Sequence, residues 1–227
     1  EAENKLQQMS TILHHRGPDG DGAFVDEDIS FGHRRLRVID LEGGVQPMRD
    51  VSGRCMVTFN GEVYNFRDLR KTFEQQGATF QTSSDTEAIL AAYLKYEDEF
   101  VQHLGGMFAF GLWDFEKKKL TVARDRLGKK PLYYFHDGDR FAFASEIKVL
   151  LALDFIPREL DYEALEHYLT FGYIPSPLSI FRHIRKLRPG HQLEFQNGRC
   201  AERPYWQVPE PSNGQVRKES DYLDELE

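Results

Sequence analysis

Cysteine is scarce: Cys55 and Cys200 are the two in 227 residues. That pair makes no disulfide framework and has no zinc-ligand spacing, so a reducing cytoplasm is the default compartment. No apolar run approaches the roughly 20 residues that a membrane helix needs, and no secretory signal pattern is present. Positive charge is short as well. Lys and Arg number 29 against 37 Asp and Glu, a net charge of −8. Neither nucleic acid nor an anionic membrane is therefore expected as a partner through bulk attraction. The charged turn Arg124-Asp125-Arg126-Leu127-Gly128-Lys129-Lys130-Pro131 lacks the glycine spacing and the Ser or Thr of a phosphate loop. It reads as a solvated loop with an Arg–Asp pair. No internal repeat is found. An initiator Met is missing too: the chain opens on Glu1, inside an amphipathic helix over 1–14 with Leu6, Met9 and Leu13 on one side. It closes on helix-like turns over 218–227. The sequence reads as a piece of a longer protein, cut at both ends.

What is present is apolar and aromatic, with 17 Phe and 10 Tyr, enough for a large packed core. Segments 23–25 and 29–32 read as a hairpin. Further strands are expected at 33–40, 55–59, 79–81, 107–115, 119–124, 132–135, 140–144, 184–187 and 192–195. Helices are expected after Asn65, with Phe66, Leu69 and Phe73 as the buried stripe, and after the capping-box pattern Ser84-Asp85-Thr86-Glu87. Others are expected at 98–104, at 146–151 and after Asp161. The run Met107-Phe108-Ala109-Phe110-Gly111-Leu112-Trp113 is almost wholly apolar, as in a strand covered on both faces. Strands and helices follow one another without a regular βαβ alternation. The expected class is α+β with antiparallel sheets, not a Rossmann fold or a barrel. The Pro-, Ser-, Asn- and Gly-containing stretch 204–214 reads as a linker. It divides the chain into 1–203 and 204–227.

Three places carry candidate chemistry. In Phe59-Asn60-Gly61-Glu62-Val63-Tyr64-Asn65 an Asn-Gly pair follows a β-prone run. It reads as a hairpin turn with nothing bound, or as an amide and a backbone N–H aimed at a developing oxyanion. In the segment 33–40, Arg35 and Arg37 share one face. They are edge-strand arginines in solvent, or one of them turns inward to hold a carboxylate in a two-pronged pair. Asp85 is a helix-start carboxylate favoured by the macrodipole, or it faces a ligand ammonium. Spacing alone does not separate these readings. The turn His14-His15-Arg16-Gly17-Pro18-Asp19-Gly20-Asp21-Gly22 is a connector that could set Arg16 at the mouth of a site.

Taken in order, the motifs resemble a known family. They are His15-Arg16-Gly17-Pro18-Asp19-Gly20, Gly32-His33-Arg34-Arg35-Leu36, the Asn60-Gly61 stretch, Ser84-Asp85-Thr86-Glu87, Gly106-Met107-Phe108-Ala109-Phe110, Arg124-Asp125-Arg126-Leu127-Gly128, Pro131-Leu132-Tyr133-Tyr134 and Ala144-Ser145-Glu146-Ile147-Lys148. Nearly the whole chain resembles the glutaminase domain (class II glutamine amidotransferase) of glutamine-dependent asparagine synthetases. The Glu62 and Tyr64 version of the Asn-Gly stretch is more similar to these than to sugar-phosphate or phosphoribosyl amidotransferases. The resemblance implies a four-layer αββα fold of N-terminal-nucleophile hydrolases with two stacked, largely antiparallel sheets. It implies hydrolysis of the glutamine side-chain amide by an N-terminal Cys whose own α-amine is the base. Carried over by motif, Asn60 and the Gly61 N–H form the oxyanion hole. Arg35 holds the substrate α-carboxylate, Asp85 the α-ammonium, and Glu62 helps orient the substrate. No cofactor or metal is implied in this domain. ATP and Mg are implied for a C-terminal synthetase domain expected just past Glu227, which would amidate aspartate.

The family's Cys-Gly-Ile strand is absent here. Neither Cys55 nor Cys200 stands at the motif position, so the chain as given is expected to be inactive. A second reading is a catalytically dead scaffold supporting a C-terminal adenylating domain. A third is an amidotransferase with a different acceptor. Whether the protein pairs as a homodimer stays open.

Overall fold

The computed structural model describes residues 2–36, 40 and 43–209. The chain begins with helix α1 (Ala2–Ile12) and a 3-10 turn (His14–Arg16), then the strands β1 (Gly20–Val25), β2 (Ser30–Arg35), β3 (Met48–Arg49) and β4 (Cys55–Val63). Helices α2 (Phe66–Gln75) and α3 (Asp85–Tyr96) follow, with a 3-10 stretch (Glu97–His103). Next come β5 (Gly106–Asp114), β6 (Lys119–Arg124), β7 (Tyr133–His136), β8 (Phe141–Ala144), α4 (Ile147–Leu150) and α5 (Tyr162–Phe171). The strands β9 (Ile184–Lys186), β10 (His191–Gln196) and β11 (Arg199–Pro204) complete the described chain.

A six-stranded antiparallel sheet in the order β11-β10-β6-β5-β4-β3 carries the fold. Its central strands are apolar on both faces because both faces are covered. Cys55, Val57 and Phe59 of β4 and Phe108, Phe110 and Leu112 of β5 pack under Ile89, Leu90 and Tyr93 of α3 and Phe73 of α2. The intervening residues Met56, Ala109 and Trp113 point the other way, as the two-residue period of a strand requires. There they meet Phe31 of β2 and Phe143 and Phe141 of β8. Each fully buried Phe or Leu in these clusters contributes about 2 kcal/mol.

The second layer consists of two small antiparallel sheets, β1-β2 and β8-β7-β9. They meet where Phe31 and Phe143 pack edge to face, 6.0 Å between ring centroids. Outside this layer Met9, Ile12 and Leu13 of the N-terminal segment join Val149 and Leu150 of α4 over Phe135 and Ala144. The result is helices, six-stranded sheet, small sheets, helices: an α+β fold with two stacked antiparallel layers, as the sequence implied.

Four expectations need correction. Asn60-Gly61 is not a hairpin turn but lies inside β4, paired with Ala109 and Phe108 of β5. Segment 79–81 forms no strand. Asn65 precedes α2 but makes no side-chain cap; its amide instead donates to the His103 carbonyl (2.9 Å) and accepts from the Gly105 N–H (2.8 Å). The capping box is half formed. Ser84 accepts from the Thr86 N–H, while Glu87 accepts from the N–H groups of Gln81 and Thr82. The expected linker spans 204–214, of which 210–214 lie outside the described residues, as do Arg37 and the helix-like turns expected over 218–227. Within 204–209, the Tyr205 hydroxyl donates to the Arg124 carbonyl at 2.8 Å.

Candidate active site

A cavity of about 980 Å³ opens between the sheet layers, and Arg35, Asn60, Gly61, Glu62 and Asp85 all line it. The five residues singled out in the sequence are thus brought to one space. Strand alternation explains the β4 contribution. Phe59 and Val63 point into the helix-side core, so Asn60 and Glu62 face the opposite layer. Gly61 adopts φ +151°, and a Cβ there would sit 2.1 Å from the Met107 carbonyl oxygen. Only glycine permits β5 to come this close. The Asn60 amide donates to the Ser145 hydroxyl across the cavity at 3.4 Å, a long and weak contact.

Helix α3 brings the carboxylate. Ser84 caps it, and Asp85 is buried at its first turn. The Val63 N–H donates to Asp85 Oδ2 at 3.0 Å. Burial raises the Asp85 carboxyl above its ordinary range, against the lowering pull of the Val63, Asp85 and Thr86 N–H groups.

Arg35 ends β2. Its Nη2 donates to the Asp40 carbonyl at 2.5 Å, which fixes the guanidinium beside the cavity. His33, two residues earlier on the same face, is lowered to about 4 by burial and by the Arg35 charge. It stays neutral near pH 7 and adds no positive charge to that of Arg35. Arg16 also lines the cavity; its Nη1 lies 3.4 Å from Glu146 Oε1, which His15 Nε2 also meets at 3.0 Å.

The sequence reading missed Gln46, Thr86 and Ser145, which line the same cavity. Nothing local marks Gln46, which lies in a loop with no periodicity; its partners are far along the chain. Neither cysteine lines the cavity. Cys55 is buried in the helix-side core, and burial pushes its thiol far up. Cys200 is pushed up to about 11, chiefly by burial. Among the described residues no three His, Cys, Asp or Glu side chains gather to hold a metal ion, and no helix is long and apolar enough to cross a membrane.

Comparisons with known proteins give the family. Residues 1–206 match the family described as "Glutamine amidotransferase domain". The Bacillus subtilis (strain 168) protein "Asparagine synthetase [glutamine-hydrolyzing] 1" is 44% identical over 194 residues, covering 86% of this chain and 30% of that one. "Asparagine synthetase [glutamine-hydrolyzing] 3" of the same organism is 39% identical over 206 residues, covering 89% of this chain and 34% of that one. The chain thus spans about a third of the length of these relatives. Among solved structures, the B. subtilis glutamine phosphoribosylpyrophosphate amidotransferase complexed with ADP and GMP matches with a TM-score of 0.61. The match covers 90% of this chain and 47% of that one at 20% identity. It shows a shared fold.

Proposed function

The chain belongs to the glutamine amidotransferase domain family, and from that membership we propose that it is the glutaminase unit of a glutamine-hydrolysing asparagine synthetase. The observation that carries the reading is the meeting of Arg35, Asp85 and the Asn60-Gly61 pair on one cavity. Opposite charges on two walls suit the two charged ends of a free amino acid. Arg35 takes the α-carboxylate, Asp85 the α-ammonium, and Glu62 orients the side chain between them. The amide carbon then lies before Asn60 and Gly61. The thiol passes its proton to its own α-amine and attacks that carbon, the carbonyl oxygen becomes an oxyanion held by the Asn60 amide and the Gly61 N–H, and the C–N bond breaks as the α-amine returns the proton to the nitrogen, which leaves as ammonia. Water then cleaves the thioester to release glutamate.

The nucleophile of this reading is a cysteine outside the 227 residues, since neither Cys55 nor Cys200 lines the cavity. The apolar part of that cavity, walled by Leu6, Met9, Leu13 and Phe143, has room for a Cys-led strand. Both β2 and β8 border it and each pairs with a single named strand among the described residues. Ammonia then serves an ATP- and Mg-dependent amidation of aspartate on a synthetase domain of the same protein, in the cytoplasm. No residue described here is assigned to ATP or Mg.

Ammonia release from glutamine tests the reading. The native polypeptide that carries these residues releases ammonia, while the 227-residue chain alone does not. Release by the chain alone would contradict the assigned source of the thiol. A native polypeptide that releases none would leave the scaffold reading in its place.

A pH dependence follows from Asp85. An ammonium is held only by the ionised carboxylate, and the Asp85 carboxyl sits above its ordinary range. Falling pH therefore protonates it early, and KM for glutamine rises as pH drops through that raised value. In an Asp85→Asn variant KM is higher throughout and this slope disappears. A KM of the wild-type protein that stays flat toward acid pH would remove Asp85 from the ammonium site.

A further inference from the structure

We propose that Gln46 is a positioning residue that holds the Asn60-Gly61 end of β4 in register with the start of α3; the inference rests on the glutaminase reading of this cavity. Gln46 is buried and its amide is used at both ends. The Phe59 N–H donates to Gln46 Oε1 at 2.6 Å, and Gln46 Nε2 donates to Thr86 Oγ1 at 3.3 Å. The N–H of Phe59 has to meet an oxygen, which fixes the orientation of the amide.

Thr86 is the neighbour of Asp85, and Asp85 in turn accepts from the Val63 N–H at 3.0 Å. A closed circuit results: Phe59 N–H, Gln46, Thr86, Asp85, Val63 N–H. Two rungs therefore join β4 to the first turn of α3, one at Phe59 and one at Val63. Between them lie only Asn60, Gly61 and Glu62, the three residues that β4 offers to the substrate. The loop carrying Gln46 is itself clamped. A Cβ on Gly22 would lie 1.9 Å from the Gln46 carbonyl oxygen, so β1 lies directly against the backbone of Gln46.

The two rungs divide the work. The Asp85 rung is also a substrate contact and fixes the Val63 end. The Gln46 rung has both ends of its amide taken by protein groups and fixes the end that carries the oxyanion donors. Removing it frees Asn60 to drift while Asp85 and Arg35 stay in place. Misplacement of about 1 Å in a reacting geometry costs on the order of a hundredfold in rate, and such drift falls on the transition state more than on the bound substrate.

The experiment uses the native polypeptide. Gln46→Met keeps the side-chain length and removes both hydrogen bonds. Its kcat for ammonia release from glutamine falls by about tenfold to a hundredfold, with KM nearly unchanged, and amide exchange at Phe59 speeds up. Thr86→Val releases only the far end of the rung and lowers kcat less; Thr86→Ser, which keeps the hydroxyl, restores it. This Val and Ser pair keeps the test decisive should Gln46→Met fold poorly. A normal kcat in Gln46→Met, or equal kcat in Thr86→Val and Thr86→Ser, overturns the inference while leaving the glutaminase reading intact. A wild-type protein that releases no ammonia overturns that reading first, and the inference with it.

Discussion

Replacing Asn60 by Ala lowers kcat for glutamine hydrolysis by about a hundredfold to a thousandfold, the loss typical of one oxyanion donor, and leaves KM close to the wild-type value. The negative charge that the Asn60 amide meets exists only while the carbonyl carbon is tetrahedral. An interaction made in the transition state alone moves kcat and kcat/KM together. The cost to folding is small. The Asn60 side chain is half-buried and its contact with Ser145 is long at 3.4 Å, so truncation leaves no well-made hydrogen bond broken. Thermal unfolding of the variant therefore stays near that of the wild-type protein, which separates a catalytic loss from a structural one. Asn60→Asp sharpens the test, since it keeps the shape, removes the donor and sets a carboxylate against the developing charge. A near-normal kcat in Asn60→Ala would take this side chain out of the oxyanion hole.

Asn60 also shows how far residues can be read one at a time. Asn-Gly is a strong local turn signal, yet β4 runs straight through it. Nine paired residues along β5 outweigh the local preference of two. The glycine is there for close approach to the Met107 carbonyl, a reason that lies 46 positions along the chain. By contrast β5 itself was legible, because a strand covered on both faces has to be apolar at every position. The strand β11 was legible only as a hairpin end at Cys200: its burial alternates weakly at the sheet edge and half of its six residues are charged. The two-residue β3 is too short to leave any periodicity. Asn65 illustrates a third case, in which the residue type was right for a cap and tertiary contacts with His103 and Gly105 claimed the side chain.

The same division holds in the site. Arg35, Asp85 and the Asn60-Gly61 pair each allowed a bland reading in their local setting, an edge-strand arginine, a helix-start acid and a turn pair, and the ordered family motifs singled them out. Gln46 drew no notice. Its two partners lie 13 and 40 positions away, and a glutamine in a loop is unremarkable until those partners are placed. A group that holds the site residues in position becomes visible only once the fold places its partners.

Arg35→Ala raises KM for glutamine by about tenfold to a hundredfold and leaves kcat near normal. The loss follows from roughly 1.5–3 kcal/mol for hydrogen bonds to a charged group, at about 1.4 kcal/mol per tenfold. A carboxylate remote from the amide is bound equally in ground and transition states, so its loss falls on KM. His33 offers no replacement charge, because burial, the larger cause of its lowered value, remains when the guanidinium is gone. Arg35→Lys recovers part of the loss: the charge stays, but the planar fork that meets two carboxylate oxygens does not. One complication has its own signature. Arg35 also holds the Asp40 carbonyl, and Asp40 Oδ2 accepts from the Ser83 N–H just before α3 at 2.8 Å. If removal of Arg35 acted by loosening that loop, the shift would pass through Gln46 to β4 and depress kcat as Gln46→Met does. A rise in KM alone therefore assigns the carboxylate to Arg35, whereas a fall in kcat with KM unchanged assigns Arg35 to the loop. A glutamine analogue without the α-carboxylate gives the independent check: wild-type and Arg35→Ala proteins hydrolyse it with the same kcat/KM, because the contact that distinguishes them is missing from the substrate.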